Sequence, residues 1–233
     1  SARRGINVQP LQKGPDYIDP MWLGLASGNA CHNLDFYLMP GAEIRETVTR
    51  YARHDDLALI EGNKGLYDGL DLDGSNSNAA LAKLLDTPVV LVIDARGMTR
   101  GIAPLILGYQ AFDRDVKIAG VILNQLGGSR HEQKLRAVIE HYTDVPVLGA
   151  VQHDEGMAIV ERHLGVVPSN EASAARSKID YIADQIARQV DLDALLAVAA
   201  RATPLPGAPA PATAVAPRIR IGIARDAAFG FYY

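Results

Sequence analysis

Ile6-Asn7-Val8-Gln9-Pro10-Leu11, followed by Gln12-Lys13-Gly14-Pro15-Asp16-Tyr17-Ile18-Asp19-Pro20, is the stretch on which the fold of this chain turns. The run from Ile6 to Leu11 reads as a strand, and the segment after it as a rigid turn at the strand's C-terminal end. Ligands of open α/β sheets bind at that end. A lysine beside two carboxylates there suits a phosphate together with a divalent metal. Lys13 would neutralise phosphate oxygens as a point charge, while Asp16 and Asp19 would hold Mg²⁺ or orient a nucleophile. The two flanking prolines stiffen the turn. The competing reading is a solvated turn that happens to be charged.

Working outward, Val/Ile/Leu-rich runs recur at 57–60, 88–93, 116–123 and 145–150, and read as further buried strands. Strands apolar on both faces belong to parallel sheets covered by helices. Helix-like periodicity fills the gaps at 41–54, 76–85, 102–112 and 129–142, and one more helix is expected over 173–201. The alternation is that of βαβ units, so the expected class is α/β, with a doubly wound, mostly parallel sheet. The Ala/Pro-rich segment 202–217 reads as an extended linker, and Arg218–Ala224 as the first strand of a second domain. Arg3-Arg4-Gly5 reads as the end of a helix, which places a strand and a helix before residue 1. No G-x-x-x-x-G-K-[ST] phosphate loop occurs within the 233 residues.

Bulk properties narrow the function classes. A formal net charge of −4 does not favour a nucleic-acid or anionic-membrane partner. No apolar run approaches the length of about 20 that spans a bilayer, and no hydrophobic segment of signal-peptide type follows the first residues. The lone cysteine, Cys31, rules out an internal disulfide framework and suits a reducing compartment, so the cytoplasm is expected. Cys31 lacks the glycine-rich surroundings of a nucleophile and reads as structural.

Two further segments carry candidate chemistry. In Glu61-Gly62-Asn63-Lys64-Gly65-Leu66-Tyr67-Asp68-Gly69, Glu61 follows a strand, where an acid suits a metal ligand, and Asp68 adds a second anion. The alternative is a glycine-rich loop whose acids cap the next helix. In Gly120-Val121-Ile122-Leu123-Asn124-Gln125, the Asn124 amide can present donor and acceptor to an adenine edge, or simply end a strand. Asp94, after another strand, is placed similarly.

Taken in order along the chain, these segments resemble the cobyrinic acid a,c-diamide synthase family, glutamine-dependent tetrapyrrole amidases within the dethiobiotin-synthetase-like P-loop group. The resemblance rests on Lys13–Pro20, Asn33-Leu34-Asp35, Glu61-Gly62 with Gly65–Gly69, Thr87–Asp94, Gly120–Asn124, Gly149-Ala150-Val151, and Ala224–Phe229 with Phe231-Tyr232-Tyr233. It implies that ATP phosphorylates a side-chain carboxylate and that ammonia, released from glutamine in a second domain, attacks the acyl phosphate. The a and c side chains of cobyrinate are the implied substrate, with sirohaem or nickel-sirohydrochlorin as alternatives. On this resemblance Lys13 contacts phosphate, Glu61 and Asp16 bind Mg²⁺, and Asp16, Asp19 and Asp68 line the reacting site. Asn124 reads the adenine. It also implies an amidoligase domain over 1–201, the beginning of a glutaminase domain over 218–233, and association into homo-oligomers. The chain alone is not expected to turn over glutamine. Two rival readings use the same fold: a nucleotide-dependent switch that binds partner proteins, and a scaffold without catalysis.

Overall fold

The computed structural model describes residues 5–52, 57–159, 161–162, 165–166, 174–205, 219, 221–224 and 226. The chain divides into two compact units, the first built from 1–66, 159–176 and 205–233, the second from 67–158 and 177–204.

In the first unit, β1 (Val8–Lys13), α1 (Ile18–Ser27), β2 (His32–Leu34), α2 (Gly41–Tyr51) and β3 (Leu57–Glu61) alternate along the chain. The three strands form a parallel sheet in the order β2-β1-β3. β1 is central, and its residues Gln9 to Gln12 are accordingly buried. Pro10 sits inside this central strand, where a proline forfeits one ladder hydrogen bond. The neighbouring Gln9 fastens the strand by side chain instead, donating from Nε2 to Ala30 O at 2.8 Å. One apolar stripe of α2, Ile44 and Val48 at i,i+4 spacing, is buried.

α1 was not expected, because Lys13–Pro20 reads as turn throughout. The turn is in fact the entrance to a helix. Asp16 Oδ1 accepts from the N–H groups of Ile18 (2.8 Å) and Asp19 (3.3 Å), satisfying donors that a helix N-terminus leaves open. Pro20 falls in the first turn, where its missing N–H costs nothing. Gly14 occupies a backbone conformation with φ +89°, which L side chains rarely adopt, so the bend between β1 and α1 requires glycine.

The second unit contains α3 (Asn78–Leu85), β4 (Val89–Asp94), α4 (Ile102–Phe112), β5 (Ile118–Leu126), α5 (Ser129–Tyr142) and β6 (Val147–Gln152). Its parallel sheet runs β4-β5-β6, with Val121 and Leu123 of the central strand fully buried. The i,i+4 pairs Ile102/Ile106 and Leu135/Ile139 supply the buried helix stripes. Ser77 Oγ accepts from Ala80 N at 3.1 Å and sets the start of α3 two residues later than expected. The two-stranded antiparallel pair β7 (Glu161–Arg162) with β8 (Gly165–Val166) belongs to the first unit, whereas α6 (Ala175–Gln189), from Ser177 onward, and α7 (Leu192–Ala199) belong to the second.

Both three-stranded sheets are parallel and flanked by helices, so the α/β class is confirmed. Three expectations are corrected. The single helix over 173–201 is two helices, because Val190 leaves helical geometry to bridge Gly149 and Asp191 N donates to Leu148 O at 2.7 Å. Asp191 then caps α7 through Oδ1 to the N–H groups of Asp193 and Ala194. Strand burial on both faces fails at β3 and β4, where Leu59 is 50% and Val92 65% exposed. Each is an edge strand, paired on one side only among the described residues. Finally, residues 221–224 form no strand, since no pairing partner lies beside them among the described residues. Most of the expected linker and Arg3-Arg4 lie outside the described residues.

Gly149 is needed for close approach: a Cβ there would stand 2.7 Å from Val190 Cγ2 and 3.1 Å from Val190 Cα. Gly149→Ala is therefore expected to destabilise the fold by about 1–3 kcal/mol. Gly101→Ala, with nothing within 4 Å of the new Cβ, serves as the near-neutral control in thermal unfolding.

Candidate active site at the end of the first sheet

The C-terminal ends of β1, β2 and β3 bring Lys13, Leu34 and Glu61 to one edge of the first sheet. Lys13 pairs with Leu34, while Gln12 lies between Asn33 and Glu61 in register. Gly14 N continues the ladder by donating to Leu34 O at 2.8 Å, so the Lys13–Asp19 turn starts directly beside the end of β2. Asn33 Nδ2 donates to Asp16 O and ties the turn to that strand. Pro15, Asp16, Tyr17, Asn33, Asp35, Leu38 and Met39 line a cavity of about 230 Å³ here.

Two carboxylates of this edge are held above their ordinary range. Glu61 is pushed up to about 7, first by burial and then by Asp19 and Asp16. Its side chain is nevertheless exposed at the end of β3, so solvent screens part of this effect. Asp19 is raised as well, by burial and by Asp16. Lys13 is lowered, because burial and the nearby Lys64 outweigh the support of Asp35. The Cys31 thiol is pushed up to about 12, by burial first and then by Glu61, Asp16 and Asp19. At neutral pH it is a thiol, which agrees with a structural role.

Among the described residues no group of three His, Cys, Asp or Glu side chains stands ready-made at metal-binding spacing. The residues nevertheless fit Mg²⁺, which keeps several waters and takes one or two carboxylates plus substrate phosphates. Glu61 and Asp16 are the pair that would hold it, and a divalent cation would relieve the repulsion that adds to burial in raising Glu61.

Glu61 also gives a pH signature. Its folded value lies above the ordinary 4.5, so between about 4.5 and 7 the folded protein retains a proton that the unfolded chain has lost. Stability therefore falls as pH rises through that window, and the penalty is complete above it. Glu61→Gln is expected to stabilise the protein by about 1 kcal/mol at pH 8, after allowance for solvent screening, and by nothing at pH 4.5. Thermal unfolding at both pH values, with and without Mg²⁺, checks this.

Of the residues expected at the site, Lys13, Asp16, Asp19 and Glu61 come together in the first unit. Asp68 and Asn124 belong to the second unit. Asp68 is exposed on the loop before α3. Asn124 lies within β5 rather than at its end, and its Oδ1 accepts from Gln125 N at 2.9 Å. Asp94 is clasped by Arg96 through Nε and Nη2 at 2.5–3.0 Å and serves to hold its own loop. Sequence reading assigned no role to Asn33, Asp35 or Lys64. Only the pairing of β2 with β1 brings the first two to the turn, whereas Lys64 was legible as a second cation in the glycine loop.

Comparison with known proteins gives the chain a family and named relatives. The family model described as an AAA domain matches residues 40–158. A cobyrinate a,c-diamide synthase of Magnetococcus marinus is 44% identical over 239 residues, covering 100% of this chain and 51% of the relative. The enzymes of that name from Methanosarcina acetivorans and Dehalococcoides mccartyi are 44% and 40% identical, covering 99% and 100% of this chain and 49% and 51% of theirs. The chain thus spans about half the length of the curated relatives it matches. No helix among the described residues is long and apolar enough to cross a membrane. The chain belongs to the AAA domain family, and over its whole length it is similar to cobyrinate a,c-diamide synthases.

Proposed function

We propose that the protein carrying this chain is a carbon–nitrogen ligase that amidates side-chain carboxylates of a tetrapyrrole, the a and c groups of cobyrinate first, using ATP and glutamine. The observation that carries this reading is the cluster of Lys13, Asp16, Asp19 and Glu61 at the C-terminal edge of the first sheet, with Glu61 raised by burial and then by Asp19 and Asp16. The similarity to enzymes of that name supports the choice of substrate.

In this reading ATP phosphorylates the carboxylate, and ammonia displaces phosphate from the resulting acyl phosphate. Mg²⁺, when bound, neutralises phosphate charge. Lys13 offsets charge on the transferring phosphoryl group, Asp16 and Glu61 hold the metal, and Asp19 orients the carboxylate substrate. Positioning and charge neutralisation supply most of the catalysis of such reactions. Asp68 and Asn124 are assigned to the reacting site and to adenine by resemblance alone. Residues 1–201 form the synthetase part, 202–217 the linker, and 218–233 the start of the ammonia-producing glutaminase, in a cytoplasmic enzyme.

The full-length protein incubated with cobyrinate, ATP, Mg²⁺ and isotopically labelled glutamine is expected to yield mono- and then diamide carrying the label, read by mass spectrometry. Sirohaem and nickel-sirohydrochlorin run in parallel identify the substrate. Absence of labelled amide on all three tetrapyrroles would refute the reading.

A further inference from the structure

Three oxygens at the C-terminal ends of β1 and β2 are buried without a donor. Among the described residues Gln12 Oε1, Asn33 Oδ1 and Asp35 Oδ2 accept no hydrogen bond. Gln12 is 2% and Asp35 7% exposed, so bulk solvent does not compensate them. Buried polar atoms are rarely left in that condition, and three in one place call for a ligand.

Topology brings the three together through Asn33. Gln12 pairs in register with Asn33, and in-register partners of adjacent parallel strands present their side chains on one face, with the strands roughly 4.8 Å apart. Asn33 and Asp35 in turn line one cavity with Asp16. The Asn33 amide is oriented by its chemistry: Nδ2 donates to Asp16 O, which can only accept, so Oδ1 is the atom left over. In Asp35, Oδ1 accepts from Tyr37 N at 3.0 Å and builds the turn after β2, which leaves Oδ2.

An all-acceptor site selects its occupant. Water brings two donors, but also lone pairs for which no donor is at hand. An ammonium ion brings four N–H donors, no lone pair, and a positive charge to set against the buried carboxylate of Asp35. It is also the form in which ammonia exists at neutral pH. Asp16 belongs both to this cavity and to the reacting edge, so an ion held here stands beside the carboxylate to be amidated.

We propose that Gln12 Oε1, Asn33 Oδ1 and Asp35 Oδ2 form the binding site for the nitrogen donor of amidation, taken up as ammonium ion. The proposal rests on the functional reading above. The carbon–nitrogen bond forms as the carbon–oxygen bond to phosphate breaks, its electron pair leaving with phosphate. Of the four ammonium protons two stay in the amide and two leave with inorganic phosphate, one of them before the nitrogen lone pair attacks.

The test uses the full-length protein with ammonium chloride in place of glutamine. Gln12→Met removes one acceptor at similar volume. Asp35→Asn keeps the turn and puts an N–H donor where Oδ2 stood. In each variant KM for ammonium is expected to rise about 10-fold or more, with KM for ATP and for the tetrapyrrole within about 2-fold. An ammonium KM within about 2-fold of wild type in both variants, or failure of both to fold, would overturn the proposal.

Thermal unfolding in ammonium chloride, against potassium chloride at equal ionic strength, reads binding without turnover. The wild-type midpoint is expected to lie about 2 °C or more higher in ammonium, and the difference to vanish in both variants. Equal midpoints in wild type indicate a site for water or for any monovalent cation, and overturn the proposal even if amidation is confirmed. So does a rise that both variants retain. An ammonium-specific rise that both variants lose upholds the site even if no tetrapyrrole is amidated.

Discussion

Lys13→Met in the full-length protein is expected to lower kcat for amidation by about 100–1000-fold while leaving thermal stability unchanged or slightly raised. The two signs come from one cause. Lys13 ends β1 at the edge where ligands of such sheets bind, and its charge is disfavoured there by burial and by Lys64. A group whose charged form the fold disfavours adds nothing to stability, and methionine fills the same volume without the cost of burying the charge. The loss of rate follows from removing a fixed cation from the place where phosphate charge develops. A solvated turn lysine would give the opposite pattern, with activity near wild type. Steady-state kinetics and calorimetry on one preparation decide between the two.

Asp19→Asn is expected to lower kcat by about 100-fold with the fold intact. Asparagine is nearly isosteric, and the backbone N–H that Asp16 accepts from residue 19 is retained, so α1 still starts where it does. What disappears is a carboxylate that burial and Asp16 hold above the usual range and that itself raises Glu61. Glu61 should then titrate lower, and the stability penalty that it shows above pH 7 should shrink. If Asp19 served only as an acidic residue in the first turn of a helix, the change would cost a fraction of a kcal/mol in stability and leave activity alone. Activity near wild type would remove Asp19 from the mechanism.

The parts of the fold legible in the sequence were those whose signal is local. Ile102–Phe112 and Ser129–Tyr142 run as helices between the expected residues, because Ile102/Ile106 and Leu135/Ile139 write a helical stripe into the sequence. β2 has three residues, too few for any periodicity. α1 was hidden by Pro20 and by two aspartates, residues that signal turns in general but are tolerated or favoured in a first helical turn. The break at Val190–Asp191 depends on pairing with Gly149 and Leu148, some forty residues away, which no window on 173–201 contains.

The site divides along the same line. Lys13, Asp16, Asp19 and Glu61 were legible because each follows or ends a strand, and strand ends face the ligand side of a parallel sheet. Their coupling was not, since the raised Glu61 depends on distances set by β1–β3 pairing.

The central claim is that a tetrapyrrole carboxylate is activated by phosphoryl transfer at the Lys13–Asp19 turn. The most direct measurement supplies cobyrinate with heavy oxygen in its side-chain carboxylates and follows that label through ATP- and glutamine-dependent turnover of the full-length protein. Activation through an acyl phosphate breaks the carbon–oxygen bond of the carboxylate, so one heavy oxygen should appear in inorganic phosphate for each amide formed. Label found in AMP, or amide formed with phosphate free of label, would contradict it.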